Sequence, residues 1–229
     1  MSGSPVSNSL KRRKTRRRYE IEHHARFLTF SCFHRLPLFK NDLIKARFVR
    51  RLAQTRQVRG FLLHAWVIMP EHAHLLLTLR LSGPGMAPVL SGLKRTFASE
   101  VLSRWRAINA PILKKLNDSR GLSHFWQVGG GYDRNIFTSD EYFEKIRYIH
   151  HNPVERRLVE RPTEWAWSSE RAYLGGGEPL IPIDHAHGAR CGAMFTAAPP
   201  KRRGTAVAPH VTLHPSFRVF SNLPPLPPG

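Results

Sequence analysis

HAWVIMPEHAHLLL, residues 64–77, carries the two features that decide how this chain folds. Two apolar runs are broken by Pro70-Glu71, the pattern of adjacent antiparallel strands joined by a turn. At the start of the second run stand His72 and His74, separated by one alanine. Side chains of an extended strand alternate between faces, so both imidazoles project from one face while Ala73 and Leu75 point to the other. Two imidazoles on one face are a start toward a divalent-metal site, which needs one or two further ligands and keeps positions open for a substrate. A chain with 13 histidines also produces such pairs by chance, so the pair alone leaves both readings open.

Outward from this stretch, strand and helix patterns alternate. Residues 25–33, ARFLTFSCF, are short, aromatic and β-branched, as in a strand. Residues 41–56 place Leu43, Ile44, Phe48 and Leu52 near helical spacing with basic residues between them. Strands are expected over 61–69 and 72–81, then a Gly/Pro loop over 82–88. A helix is expected over 89–108, with Leu90, Leu93, Phe97, Val101, Leu102 and Trp105 as its core stripe. Residues 113–132 are less regular; 125–127 read as a short strand, and Gly129-Gly130-Gly131 has no assigned place.

Residues 138–152 read as a further helix. Thr138 with Glu141 matches a capping box, Phe143, Ile146 and Ile149 form the inward face, and Pro153 enforces the stop. EWAWSSERAYL, 164–174, reads as a last short element packing Trp165 and Trp167 on the domain. The pattern predicts an α+β fold, a central antiparallel sheet with helices packed on it.

Composition bounds the rest. The 229 residues suffice for one sizeable domain and a tail. Lys and Arg number 36 against 16 Asp and Glu, a formal charge of +20 with pI near 11.2, which points to a polyanionic partner, nucleic acid first among them. Residues 1–18 read as a disordered basic arm for phosphates, with Lys11, Arg12, Arg13, Lys14, Arg16, Arg17 and Arg18. From 175 to 229 Gly and Pro accumulate and periodicity disappears, which reads as a disordered tail behind a 19–174 domain. Two distant cysteines, Cys32 and Cys191, indicate neither a disulfide framework nor a cysteine metal site. With no apolar run near membrane-spanning length and a densely basic N-terminus, the expectation is a cytoplasmic DNA- or RNA-contacting protein with no membrane partner.

On the helix over 138–152, Tyr148 and Asn152 are four apart and share a face, set roughly opposite Ile146 and Ile149. They offer a nucleophilic oxygen and a metal-ligating oxygen together, although a packing tyrosine and an Asn before Pro are ordinary features of helices. Taken in order, HAWVIMPEHAHLLL, FWQ, YDRNIF, YIHHNPVERRLV and EWAWSS resemble the REP-associated tyrosine transposases, single-tyrosine relatives within the HUH nucleases. The resemblance covers roughly residues 18–174, and His72-Ala73-His74 reproduces the His-hydrophobe-His motif.

The resemblance implies a ferredoxin-like sheet with the histidine strand central and the tyrosine helix beside it. It implies Tyr148 as nucleophile, from its place in the YIxxNP motif, and His72, His74 and Asn152 as ligands of Mg2+ or Mn2+. It implies a single-stranded REP-like hairpin DNA as partner and cleavage through a 5′-phosphotyrosine, by a monomer or a homodimer. A phenol of ordinary pKa, about 10, is a weak nucleophile at neutral pH, so a proton acceptor is required, with His151 among those available. Tyr132 is the rival nucleophile; Glu71 reads as a turn residue, with support of a metal-bound histidine as the alternative, and His64, His124 and His150, which could also approach the metal or the phosphate, read as structural or surface histidines. Against the enzyme stand a domesticated, inactive hairpin-binding protein, a metal hydrolase without a protein nucleophile and a basic RNA-binding protein.

Overall fold

The computed structural model describes residues 24–80, 83, 85–129, 131–175 and 179–185. The basic arm, with Lys11 to Arg18, and Cys191 lie outside these residues. Four strands form one antiparallel sheet: β1 (Ala25–Ser31), β2 (Leu62–Ile68), β3 (His72–Thr78) and β4 (Tyr132–Asn135), in the order β2-β3-β1-β4. Helix α1 (Asp42–Arg59) joins β1 to β2, α2 (Met86–Leu90) and α3 (Phe97–Ala107) join β3 to β4, and α4 (Ser139–Glu155) follows β4. This is the α+β, ferredoxin-like arrangement expected, with the histidine strand central between β2 and β1.

Both faces of the sheet are covered, and alternation along each strand divides the core in two. Leu28, Phe30, Trp66, Ile68, Leu75 and Leu77 join Phe48, Val49 and Leu52 of α1 and Phe97 and Val101 of α3. Ala25, Phe27, Ala65, Val67 and Leu76 join Tyr142, Ile146 and Ile149 of α4. Burial on both faces is why β2 and β3 read as continuous apolar runs rather than alternating ones. Between α2 and α3 the helical path widens into a π-turn over Ser91–Thr96, where Gly92 lets it press on α1. A Cβ there would lie 2.9 Å from Thr55 Cγ2.

Several details differ from the sequence expectation, each for a local reason. Leu43 is exposed on α1, because the inward stripe runs Lys45, Phe48, Val49 and Leu52 with Ile44 packed beside it, and Leu43 falls off that stripe. On α4, Phe143 is exposed and its neighbour Tyr142 is buried, since the inward stripe runs Tyr142, Ile146, Ile149 at helical spacing. Pro153 does not stop α4. A proline in the last turn removes one backbone donor without ending the helix, which closes at Arg157 (φ 55) with Leu158 N donating to Pro153 O at 2.9 Å.

Strand β4 escaped the pattern because it is a short, polar edge strand, YDRN, paired to β1 alone. Arg26 and Asp133, both nearly inaccessible, join the two strands through a two-pronged ion pair at 3.0 and 2.8 Å. The preceding glycine run has a place as well. Gly131 (φ +68) passes so close to β1 that a Cβ would lie 2.7 Å from Thr29 O.

The domain's packed chain also continues past residue 174. Ile181 and Ile183 are buried, Asp184 N donates to Leu63 O at 2.7 Å, and the Asp184 carboxylate accepts from Leu63 N at 2.8 Å. Two apolar side chains and one acceptor suffice to seat this segment along β2, despite the Gly/Pro-rich composition that placed it in the tail. The rest of the expected tail, residues 186–229, lies outside the described residues.

Candidate nucleophile and metal-ligand cluster

The strand register carries His72 and His74 to the face that α4 covers. His74 pairs with Thr29 on one side and Val67 on the other, and His72 pairs with Ser31. Their rings lie 4.6 Å apart between centroids. Helix α4 starts at the Thr138 cap, whose Oγ1 accepts from Glu141 N at 3.2 Å while Glu141 reaches back to Phe137 N at 3.1 Å. From that start, Tyr148 comes down on the sheet with its ring 5.3 Å from that of His74. Tyr148 and Asn152 are therefore not opposite the Ile146–Ile149 stripe. They form the row next to it, Asn152 buried and Tyr148 open to solvent at 37% exposure.

Each imidazole is oriented by a partner on Nδ1. For His74 it is Thr29 Oγ1 at 2.9 Å; for His72 it is Glu71 Oε1 at 3.1 Å. That arrangement leaves both Nε2 atoms to the site, as metal-binding histidines require. Burial, with the neighbouring His72, pushes His74 down to about 3, so its ring is neutral at physiological pH. Burial also lowers His72, against the pull of the Glu71 carboxylate and the nearby Asn152 carboxamide. Neutral, desolvated imidazoles are in the form that binds a cation.

Among the buried polar atoms of the described residues that lack a hydrogen-bond partner are two of this cluster, His74 Nε2 and Asn152 Oδ1. Such atoms are costly unless something completes them. Among the described residues no three His, Cys, Asp or Glu side chains come together around a cation. A cation here would take two imidazole nitrogens and the Asn152 amide oxygen, and the two orphaned atoms fit that role.

Three residues around Tyr148 carry no sequence signal of their own. Phe27 stacks on His74 at 5.2 Å and meets Tyr148 edge-on at 5.8 Å. Thr29 enters through strand pairing alone. Lys145 Nζ lies 5.8 Å from the Tyr148 ring centroid and 6.0 Å from that of Phe27. Tyr132, the rival nucleophile, stands on the same face with its ring 5.9 Å from Phe27. His151, one turn beyond Tyr148, is exposed.

The other histidines lie elsewhere. His64 is buried between Asp184 O and Thr78 Oγ1, each 2.8 Å away. His124 holds Asp118 at 3.0 Å in a loop. His150 lines up with Ser169 Oγ (2.8 Å) and Glu170 Oε2 (2.6 Å), an order that suggests a hydrolytic relay. Ser169 is buried, however, and its hydroxyl contacts Trp66 N and Trp66 O, so the trio clamps the chain after α4 to β2.

No family model matches the chain. A REP-associated tyrosine transposase of Escherichia coli (strain K12) is 26% identical over 173 residues, which cover 74% of this chain and 89% of the relative. A solved structure of a REP-associated tyrosine transposase bound to a REP hairpin superposes with a TM-score of 0.54 at 22% identity, covering 76% of this chain and 93% of that one. The resemblance carried by the motifs thus extends to overall sequence and to fold, and the chain is a homologue of a REP-associated tyrosine transposase.

Proposed function

We propose that this chain is a metal-dependent single-stranded DNA endonuclease and strand-transferase, a transposase that acts on REP-type hairpin DNA through Tyr148. The observation that carries the reading is the seating of Tyr148 of α4 against His74, on the sheet face that also holds His72, with Asn152 one turn further along the helix. Similarity to a REP-associated tyrosine transposase and a fold shared with one bound to a REP hairpin support that substrate class. The formal charge of +20 suits a polyanion.

In the reaction, Tyr148 Oη attacks the scissile phosphorus in line with the departing 3′ oxygen. The P–O3′ bond breaks, the 3′ oxygen takes up a proton, and the phosphate remains on the 5′ side as a phosphotyrosine. The tyrosine proton passes to a base or to solvent. Because the phosphoester is conserved, a 3′-hydroxyl can later attack the same phosphorus, form a new diester and release Tyr148.

The residues present divide the work. Phe27 and His74 hold the phenol ring in place, which fixes the direction of attack. The Lys145 ammonium lies beside the ring, ion-paired with Glu144 at 2.6 Å, and would offer positive charge to a phosphate bound there. His72, His74 and Asn152 would hold Mg2+ or Mn2+, which supplies Lewis-acid relief of charge on the non-bridging oxygens. Trapping on a labelled hairpin oligonucleotide tests the reading. A denaturant-resistant protein–DNA adduct that requires metal and Tyr148 is expected, whereas hairpin binding with no adduct favours the inactive binding protein.

A further inference from the structure

Tyr148, Asn152 and Arg156 are spaced by four, so the C-cap residue of α4 continues the row that holds the nucleophile and the amide. Arg156 Nη2 donates to Glu71 Oε1 at 2.6 Å. The same carboxylate oxygen lies 3.1 Å from His72 Nδ1. Glu71 itself sits in the tight turn between β2 and β3, with its backbone fixed by Cys32 N, which donates to Glu71 O at 2.8 Å. Its side chain and that of His72 are each only 14% exposed, while Arg156 is 52% exposed.

We infer that Glu71 and Arg156 are positioning residues, a relay that sets His72 for the cation and registers the tyrosine helix against the histidine strand. The inference rests on the metal-site reading above and deepens it. As an acceptor, Glu71 holds the His72 proton on Nδ1 and leaves Nε2 unprotonated toward the site, in the carboxylate–histidine pattern of metal centres. As an anion it adds negative charge one residue away from a cation site. Arg156 keeps the carboxylate in that rotamer and joins the end of α4 to the turn before His72, so the strand ligand and the helix ligand are held in one frame.

Magnitudes separate this role from simple stabilisation. An ion pair with a half-exposed arginine contributes little to folding, so removing it should leave the domain folded. Loss of an outer partner of a metal-binding histidine weakens metal binding by about ten- to a hundredfold. The relay therefore shows in metal affinity rather than in melting temperature.

The test is titration of the intact, DNA-free protein with Mn2+ by calorimetry, with thermal unfolding of the same samples. The proteins are wild type, Glu71→Gln, Glu71→Ala, Arg156→Gln and His72→Ala. Glu71→Ala is expected to weaken Mn2+ binding about ten- to a hundredfold. Glu71→Gln keeps an acceptor but loses the charge and should fall between Glu71→Ala and wild type. Arg156→Gln should lose a few-fold, and all three should melt near wild type.

Mn2+ affinity unchanged in both Glu71 variants, while His72→Ala loses it, overturns the relay and leaves the metal site standing. No Mn2+ binding by the wild-type protein, or binding indifferent to His72→Ala, overturns the metal-site reading and the relay with it.

Discussion

The edge of the Tyr148 ring meets the His74 imidazole at a centroid distance of 5.3 Å, and Phe27, on the adjacent strand, touches both. Phe27 is thus the floor on which nucleophile and ligand are aligned. Phe27→Ala should cost about 3 kcal/mol of stability, as for other large-to-small changes at buried phenylalanine. It should also slow adduct formation per folded molecule, because the two rings lose their common support. Phe30→Ala, on the other face of β1, should cost a similar amount while leaving that rate near wild type. Urea denaturation combined with single-turnover cleavage checks both.

Thr29 contributes one hydrogen bond, to His74 Nδ1 at 2.9 Å. With Nε2 turned to a cation, Nδ1–H donates to the hydroxyl and the tautomer is fixed. Thr29→Val removes the acceptor at almost constant volume. Mn2+ binding should weaken by about tenfold, with Thr29→Ser close to wild type, as read by calorimetric titration.

Burial holds His74 down to about 3, against an ordinary value of 6.5. Between those values the unfolded chain binds a proton that the folded chain does not. The stability linked to His74 is therefore complete above about pH 6.5 and is lost as pH falls through that value toward 3. From pH 7 to pH 5 the metal-free protein should lose about 2 kcal/mol through this group. Burial shifts His72 and His64 in the same direction and adds to the loss. His74→Gln should flatten the decline, as measured by urea denaturation across that pH range.

Much of this arrangement was legible because it is written in local pattern. The His-x-His alternation places both imidazoles on one face wherever the strand lies, and the Thr138–Glu141 box fixes where α4 begins and so how Tyr148 and Asn152 are spaced along it. What stayed hidden depends on pairing between distant segments. Thr29 and Phe27 join the site only through the β1–β3 register, and β4 has too few apolar residues to announce itself. Glu71 is placed next to His72 by sequence, but its contact with Arg156 appears only when α4 packs onto the turn. Ile181 and Ile183 sit in a stretch whose composition suggests disorder, yet two buried side chains and one carboxylate anchor it.

Covalent trapping addresses the central claim most directly. The protein, with Tyr148→Phe and Tyr132→Phe alongside, is mixed with a labelled single-stranded oligonucleotide carrying a REP-like hairpin, in Mg2+ or Mn2+. The position of Tyr148 against His74 predicts a metal-dependent, denaturant-resistant adduct in the wild type and in Tyr132→Phe, and none in Tyr148→Phe. An adduct that survives Tyr148→Phe and disappears with Tyr132→Phe would contradict the account and move the nucleophile to β4.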